Sequence, residues 1–273
     1  MVMRHELVPK LNKVRRYGDS NLFLTESVYH HIKKMQKRAG KTVENCGIVG
    51  LNMPKIIELT RVHDIDEIGL ERDITSKAAA RDPKVKQLKK ENALKLMEEL
   101  AQKHGAWLLE SWLEAEECAT PESKFVHILD RIESSEYILD NLRRTENKYV
   151  HVEEEDIVTP AYDTSRPGIS GGLTSRNEYE ALRACFEQNI PLPHQNIISQ
   201  EEAYLNIDKL LKSLSVLDKN DTELWKIAPY IDNLIDKTMT EYKRLGYECK
   251  PEWQGEKPRK LAPQAKVEEW SHG

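Results

Sequence analysis

Apolar residues in this chain recur at helical spacing, with almost no strict alternation of the kind a half-buried strand would show. Residues 6–17 read as a short helix with Leu11 and Val14 inward, broken by Asp19-Ser20-Asn21. Val28, Ile32 and Met35 mark a second helix, for which Thr25 is a suitable N-cap. Thr42 opens a further helical stretch through Cys46, Ile48, Val49 and Leu51, and Pro54 fits the first position of the helix after it. In that helix Ile56, Leu59, Val62 and Ile65 fall on one face. Residues 67–82 are polar and turn-like. A long amphipathic helix over about 85–103 turns Leu88, Leu94, Met97 and Leu100 to one side. Trp107, Leu108, Trp112 and Leu113 belong to the next helix, and Pro121 starts one striped by Phe125, Ile128, Leu129, Ile132, Ile138 and Leu142.

The character changes near Lys148. Residues 151–199 carry an acidic run, four prolines and Gly168-Ile169-Ser170-Gly171-Gly172, and read as a long irregular region with one short helix near 178–188. Helical patterning returns over 200–217 and 222–246, the latter through Leu224, Ile227, Ile231, Leu234, Ile235 and Met239. Residues 250–273 are rich in Lys, Pro and Glu and read as a loose tail. The expected fold is all-α: a helical unit over 1–150, the irregular region 151–199, C-terminal helices over 200–249, then the tail.

Composition narrows the function classes. With 273 residues, the chain is long enough for a substantial core. Its net charge of -5 is spread among interspersed acids and bases, so no basic field favours long nucleic acid as a partner. The four cysteines form no CxxC pair, which points away from disulfides and structural zinc and towards a reducing compartment. No apolar signal core and no membrane span are visible, so a cytoplasmic, membrane-free protein is expected.

The candidate chemistry lies in Arg61-Val62-His63-Asp64-Ile65-Asp66-Glu67. His63 and Asp64 adjoin an apolar stripe, where they are costly to desolvate unless paired. Imidazole and carboxylate are standard ligands of divalent metals. An HD dipeptide alone often arises by chance, but His31 and Asp130 lie on other predicted helices and Arg16 stands fifteen residues before His31. Four ligands from three helices, His31, His63, Asp64 and Asp130, suit a hydrolytic site that leaves room for water and a phosphate oxygen.

The spacing H…HD…D resembles that of the HD-domain metal-dependent phosphohydrolases, and the flanking residues resemble the 5′-deoxynucleotidase branch and its eukaryotic HD-domain relatives. The stretches that carry this likeness are Arg16-Tyr17-Gly18, Glu26-Ser27-Val28-Tyr29-His30-His31, His63-Asp64-Ile65-Asp66-Glu67 leading to Asp73-Ile74-Thr75, Trp112-Leu113-Glu114-Ala115-Glu116, and Lys124-Phe125-Val126-His127-Ile128-Leu129-Asp130. The resemblance covers residues 10–145 and implies an all-α HD-domain bundle over 1–150 with a C-terminal helical extension. By the same resemblance, His31, His63, Asp64 and Asp130 hold a divalent metal ion (cobalt, manganese, zinc, nickel or iron). Arg16 clamps the substrate phosphate, Tyr17 and Asp73 contact the substrate, and Glu67 orients or deprotonates the attacking water. Homodimers or higher homo-oligomers are common among such relatives. The chain departs from the pattern in three places. The interval from Glu67 to Asp73 is one residue longer; Tyr17 or Asp19 stands where a tryptophan is frequent; and His30 replaces a residue that is often acidic.

The expected activity is hydrolysis of (deoxy)nucleoside 5′-monophosphates. Triphosphate removal from deoxynucleoside triphosphates is the alternative enzyme, and a non-catalytic metal-binding or protein-interaction module is the alternative of another class. Plainer readings stand beside the rest. Asp130 has Arg131 and Lys124 as ion-pair partners; the loop over 169–175 is a flexible connection; His5, His104, His151, His194 and His272 are solvated; Trp107 and Trp112 are core.

Overall fold

The computed structural model describes residues 6–16, 26–69, 83–146, 198 and 200–249. The expectations for the 151–197 segment with its short helix and for the tail lie outside these residues, as do Tyr17, Asp73, His5, His151, His194 and His272.

The fold is all-α, as the periodicity predicts. In chain order the helices are α1 (Val8–Lys13), α2 (Val28–Asn45), α3 (Met53–Val62), α4 (Pro83–His104), α5 (Trp107–Glu117), α6 (Pro121–Glu146), α7 (Gln200–Ser213) and α8 (Ala228–Arg244). Short 3₁₀ turns cover Ile65–Gly69, Leu214–Val216 and Leu224–Ile227. Two dipeptides, β1 (Arg15–Arg16) and β2 (Glu26–Ser27), form one antiparallel pair in which Arg16 faces Glu26. The first helix therefore ends at Lys13, short of the expected residue 17, because the chain leaves it in an extended conformation at Val14. That pairing brings Arg16 to the start of α2.

The beginning and end of α2 follow from local chemistry. Its N-cap is Ser27 and not the expected Thr25: Ser27 directly precedes the helix, and its Oγ accepts from the His30 backbone N–H at 3.2 Å. The helix runs unbroken past Thr42, so the separate helix expected from 42 to 51 does not exist. It stops where Gly47 takes a left-handed φ of 61°. There Gly47 N–H donates to Glu44 O and Ile48 N–H to Val43 O, the paired bonds of a Schellman cap. The turn after it buries Ile48 and leads to Asn52, whose side chain caps α3 by accepting from Lys55 N–H at 3.3 Å.

One large apolar core joins α2, α3 and α6 to the C-terminal helices. Met35, Ile56, Phe125 and Leu129 pack in the same cluster as Ile207, Leu210, Ile231 and Tyr242. Polar contacts hold this joint: Asn206 Nδ2 donates to Tyr242 OH at 2.8 Å and Ser135 Oγ at 3.2 Å, and Lys124 Nζ reaches Asp221 at 2.7 Å and Asp218 at 3.0 Å. A second cluster gathers Val62, Ile65, Met97, Leu100, Leu108 and Trp112. On α4 the buried face is Ala93, Met97 and Leu100, while Leu88 and Leu94 are 57% and 39% exposed, against the expected stripe. Leu94 is one residue out of phase with Ala93 on a 3.6-residue helix, which turns it outward. A third cluster packs Leu11 and Val14 on Val28 and Ile32. Among the described residues, no helix is long and apolar enough to cross a membrane.

Candidate metal centre

Four pieces of backbone converge where the three clusters meet. The inward face of α2, set by Val28, Ile32 and Met35, also carries His31, which is fully buried. The stripe of α3, Ile56 and Leu59, drives its C-terminal end into the core, and His63 caps that end with Asp64 next to it. On α6, Asp130 and Glu133 lie one turn apart. Arg16 arrives on β1.

Around the two histidines the ligand-type atoms crowd together. His31 Nε2 is 3.2 Å from Asp130 Oδ1 and 3.6 Å from Asp64 Oδ2, and His63 Nε2 is 3.1 Å from Asp64 Oδ2. One ligand atom each from His31, His63 and Asp130 falls within a 4.8 Å sphere of mutual separation. Atoms bound to one cation at about 2.0–2.2 Å stand roughly 3–3.5 Å from each other, so this spacing fits a shared divalent ion.

The hydrogen bonds on the far side of each ring strengthen that fit. His63 Nδ1 lies 3.0 Å from the Thr60 carbonyl oxygen, and His31 Nδ1 lies 2.6 Å from Glu133 Oε2. The Thr60 carbonyl only accepts, so His63 Nδ1 carries the proton and, in the neutral ring, His63 Nε2 presents its lone pair to Asp64. His31 Nδ1 faces both the acceptor Glu133 Oε2 and the donor Arg16 Nη1, with Nε2 towards the carboxylates. Neither Nε2 forms a well-directed hydrogen bond. Lone pairs aimed at carboxylate oxygens repel unless a cation, either proton or metal, stands between them. A backbone carbonyl or carboxylate behind a metal-binding histidine is the usual way such rings are held.

The charges respond accordingly. Burial and Arg16 oppose protonation of His31, but Glu133 and Asp130 outweigh them and raise it to about 9. Burial likewise opposes the charge on His63, and Asp64 prevails and raises it. Desolvation works against ionised Asp64, Asp130 and Glu133. For Asp64, His63 and His31 win and hold it low; for Asp130 the cations are Arg131, His31 and Arg16; for Glu133 they are His31 and Arg16.

Arg16 is woven into the same network. Its Nη2 reaches Asp130 Oδ1 at 3.2 Å and Ser134 Oγ at 2.9 Å, and its Nη1 reaches Glu133 Oε2 at 3.2 Å and touches His31 Nδ1. Glu26 Oε2 is 3.7 Å from Nη1, and Lys34 Nζ is 2.9 Å from Glu26 Oε1. Glu26, His31 and Glu133 form a second group of metal-ligand type, but Arg16 and Lys34 already neutralise its carboxylates.

Beyond Asp64 the chain is acidic. Asp66 accepts from Trp112 Nε1 at 3.1 Å, and burial followed by repulsion from Asp64 raises its carboxyl to about 6. The Glu116 carboxyl is raised to about 7 by desolvation and then by Asp66 and Asp64. Because Glu116 as a residue is open to solvent, the repulsion is the firmer cause.

His31, His63, Asp64, Asp130 and Arg16 are thus brought together. Glu67 sits on the 3₁₀ turn with Lys89 Nζ 3.9 Å from its carboxylate. Asp130 has the expected contact with Arg131 at 3.4 Å, whereas Lys124 serves Asp218 and Asp221. His104 is buried, with Nδ1 3.4 Å from Glu6, and is not solvated as its isolated position suggested. Trp112 is core, but its indole N–H also holds Asp66. The residues that sequence reasoning missed are Glu133, Ser134, Glu26 and Asp66. For Glu133 and Ser134 the available signal was their three- and four-residue spacing from Asp130 on one helix.

The described residues thus form an all-α bundle around a buried His/Asp cluster of metal-ligand type. A family model described as "HD domain" matches residues 10–166, more than half of the sequence, and the chain belongs to that family. HD domains are typically metal-dependent hydrolases, and the buried His, Asp and Glu groups fit a divalent metal. No curated protein and no solved structure matches the chain.

Proposed function

We propose that this protein is a metal-dependent phosphomonoesterase that converts (deoxy)nucleoside 5′-monophosphates to nucleoside and inorganic phosphate. The observation that carries the reading is the pair of buried Nε2 atoms, on His31 and His63, turned towards Asp64 and Asp130 by hydrogen bonds behind each ring. These four residues would hold a divalent cation, which supplies Lewis acidity at a phosphoryl oxygen and makes water more acidic.

The chain's own groups account for the remaining work. Arg16, planar and held in place by Asp130, Glu133 and Ser134, presents its guanidinium to phosphate oxygens. Glu67 orients the water or takes its proton. Water oxygen bonds to phosphorus, the bond from phosphorus to the 5′ oxygen breaks, and the leaving oxygen takes up a proton. The Asp66 and Glu116 carboxyls, raised to about 6 and about 7, are in range to hold or release a proton near neutrality. Tyr17 and Asp73, by their place in the sequence motifs, contact the nucleoside.

Charge favours a monoester. Among the described residues, Asp64, Asp66, Asp130, Glu26 and Glu133 surround the centre, with Arg16, Lys34 and Arg131 as nearby cations. A triphosphate would bring more negative charge into an acidic site. The test is product analysis on metal-loaded protein offered deoxynucleoside and ribonucleoside mono- and triphosphates. Orthophosphate from the monophosphates, with the sugar preference read from the two series, is the expected result. Release of intact triphosphate would replace this reading with the triphosphohydrolase, and no turnover with any metal would favour the binding module.

A further inference from the structure

We propose that Glu133 is a positioning residue that couples the metal ligand His31 to the phosphate clamp Arg16 through a single carboxylate oxygen. The proposal rests on the metal-centre reading above and adds a residue to it. Glu133 is 3% exposed, and Oε2 alone lies 2.6 Å from His31 Nδ1 and 3.2 Å from Arg16 Nη1. Arg16 Nη1 donates to that oxygen and His31 Nδ1 hydrogen-bonds it, while the two nitrogens also touch each other, so one carboxylate oxygen sets two orientations at once. It holds the His31 ring with Nε2 facing Asp130 and Asp64, and it holds the plane of the guanidinium that also bonds Asp130 and Ser134.

The placement on α6 explains why the coupling is rigid. Asp130, Glu133 and Ser134 lie within about one turn of a helix buried on this face, so they move as a unit. Glu133 itself does not join His63 and Asp64: its neighbours are cations and the outer nitrogen of His31, which places it behind the ligand. A carboxylate in that position raises the basicity of the ring it holds, and its loss typically lowers metal affinity about 10–100-fold. Through Arg16 the same loss also weakens phosphate binding, which a purely structural acid would not do.

The experiment compares wild type, Glu133→Gln and Glu133→Asp. Circular dichroism of the metal-free chains establishes folding, and cobalt affinity is measured by chelator competition alongside KM and kcat for a deoxynucleoside monophosphate. Glu133→Gln removes the charge; Glu133→Asp keeps it but withdraws the oxygen by one methylene. Both are expected to lose about 10-fold or more in cobalt affinity and to raise KM, and if the Gln variant fails to fold the Asp variant decides. Wild-type cobalt affinity and KM in a folded variant would overturn the proposal, as would full function in Glu133→Asp, since charge alone would then suffice. Should wild type bind none of cobalt, manganese, zinc, nickel and iron, the metal-centre reading fails separately. Ring ¹⁵N spectra of metal-free His31 at alkaline pH then decide: a protonated Nδ1 that becomes a tautomer mixture in Glu133→Gln supports the coupling, and an unchanged spectrum overturns it.

Discussion

His31 shows how much a single side chain's surroundings dictate its chemistry. Acids on both sides of its ring raise it to about 9, against burial and Arg16, and Asp64 raises His63 in the same sense. For a raised histidine the folded chain binds more protons than the unfolded one between the unfolded value, near 6.5, and about 9. The metal-free protein therefore loses stability as pH rises through that window, and its melting temperature should fall. Metal binding displaces those protons, so cobalt affinity should rise over the same range, by up to about tenfold per pH unit for each proton released. Thermal melts and chelator competition across the window would show opposite slopes; parallel slopes would contradict the assignment of the His31 Nε2 atom. The four ligand-type residues were legible in the sequence because histidine and aspartate at those intervals have a known use. Glu133 was harder to read: its three-residue spacing puts it on the same helix face as Asp130, but no motif in Glu133-Ser134-Ser135-Glu136 marks a role for it.

At the scale of elements, hydrophobic periodicity located the long helices, and local geometry decided their ends. Continuity of α2 through Thr42 was missed because the true stop is a positive φ at Gly47, a backbone property that periodicity does not report. The exposed Leu88 and Leu94 reflect the phase of α4, which packing of Met97 and Leu100 fixes. Arg16 reaches the site only because α1 ends early and β1 pairs with β2. The C-terminal helices contribute differently from what their separation along the chain suggests, since α7 and α8 finish the core that supports α6. Ile207 of α7 is fully buried in that core. Ile207→Ala should cost about 2–5 kcal/mol by denaturant titration. A cost below about 0.5 kcal/mol, the usual range of surface changes, would mean that α7 does not support the core.

For the whole molecule, the arrangement is a bundle whose apolar clusters meet around a small set of charges. Each cluster positions one part of the site: the large core sets α2, α3 and α6; the second sets the turn with Asp66 and Trp112; the third sets the strand pair with Arg16. The all-α class and the HD-domain membership were both readable from sequence, because helical stripes and ligand spacing are local signals. How the C-terminal helices join the bundle was not, since packing between distant segments leaves no spacing to read. The most direct test of the central claim is phosphate release from a deoxynucleoside 5′-monophosphate by protein stripped with chelator and then reloaded, with Asp64→Ala in parallel. Wild type should lose hydrolysis on stripping and regain it with one equivalent of a divalent ion, while Asp64→Ala stays inactive with its helical content intact. Hydrolysis that survives stripping, or an Asp64→Ala variant as active as wild type, would contradict the account.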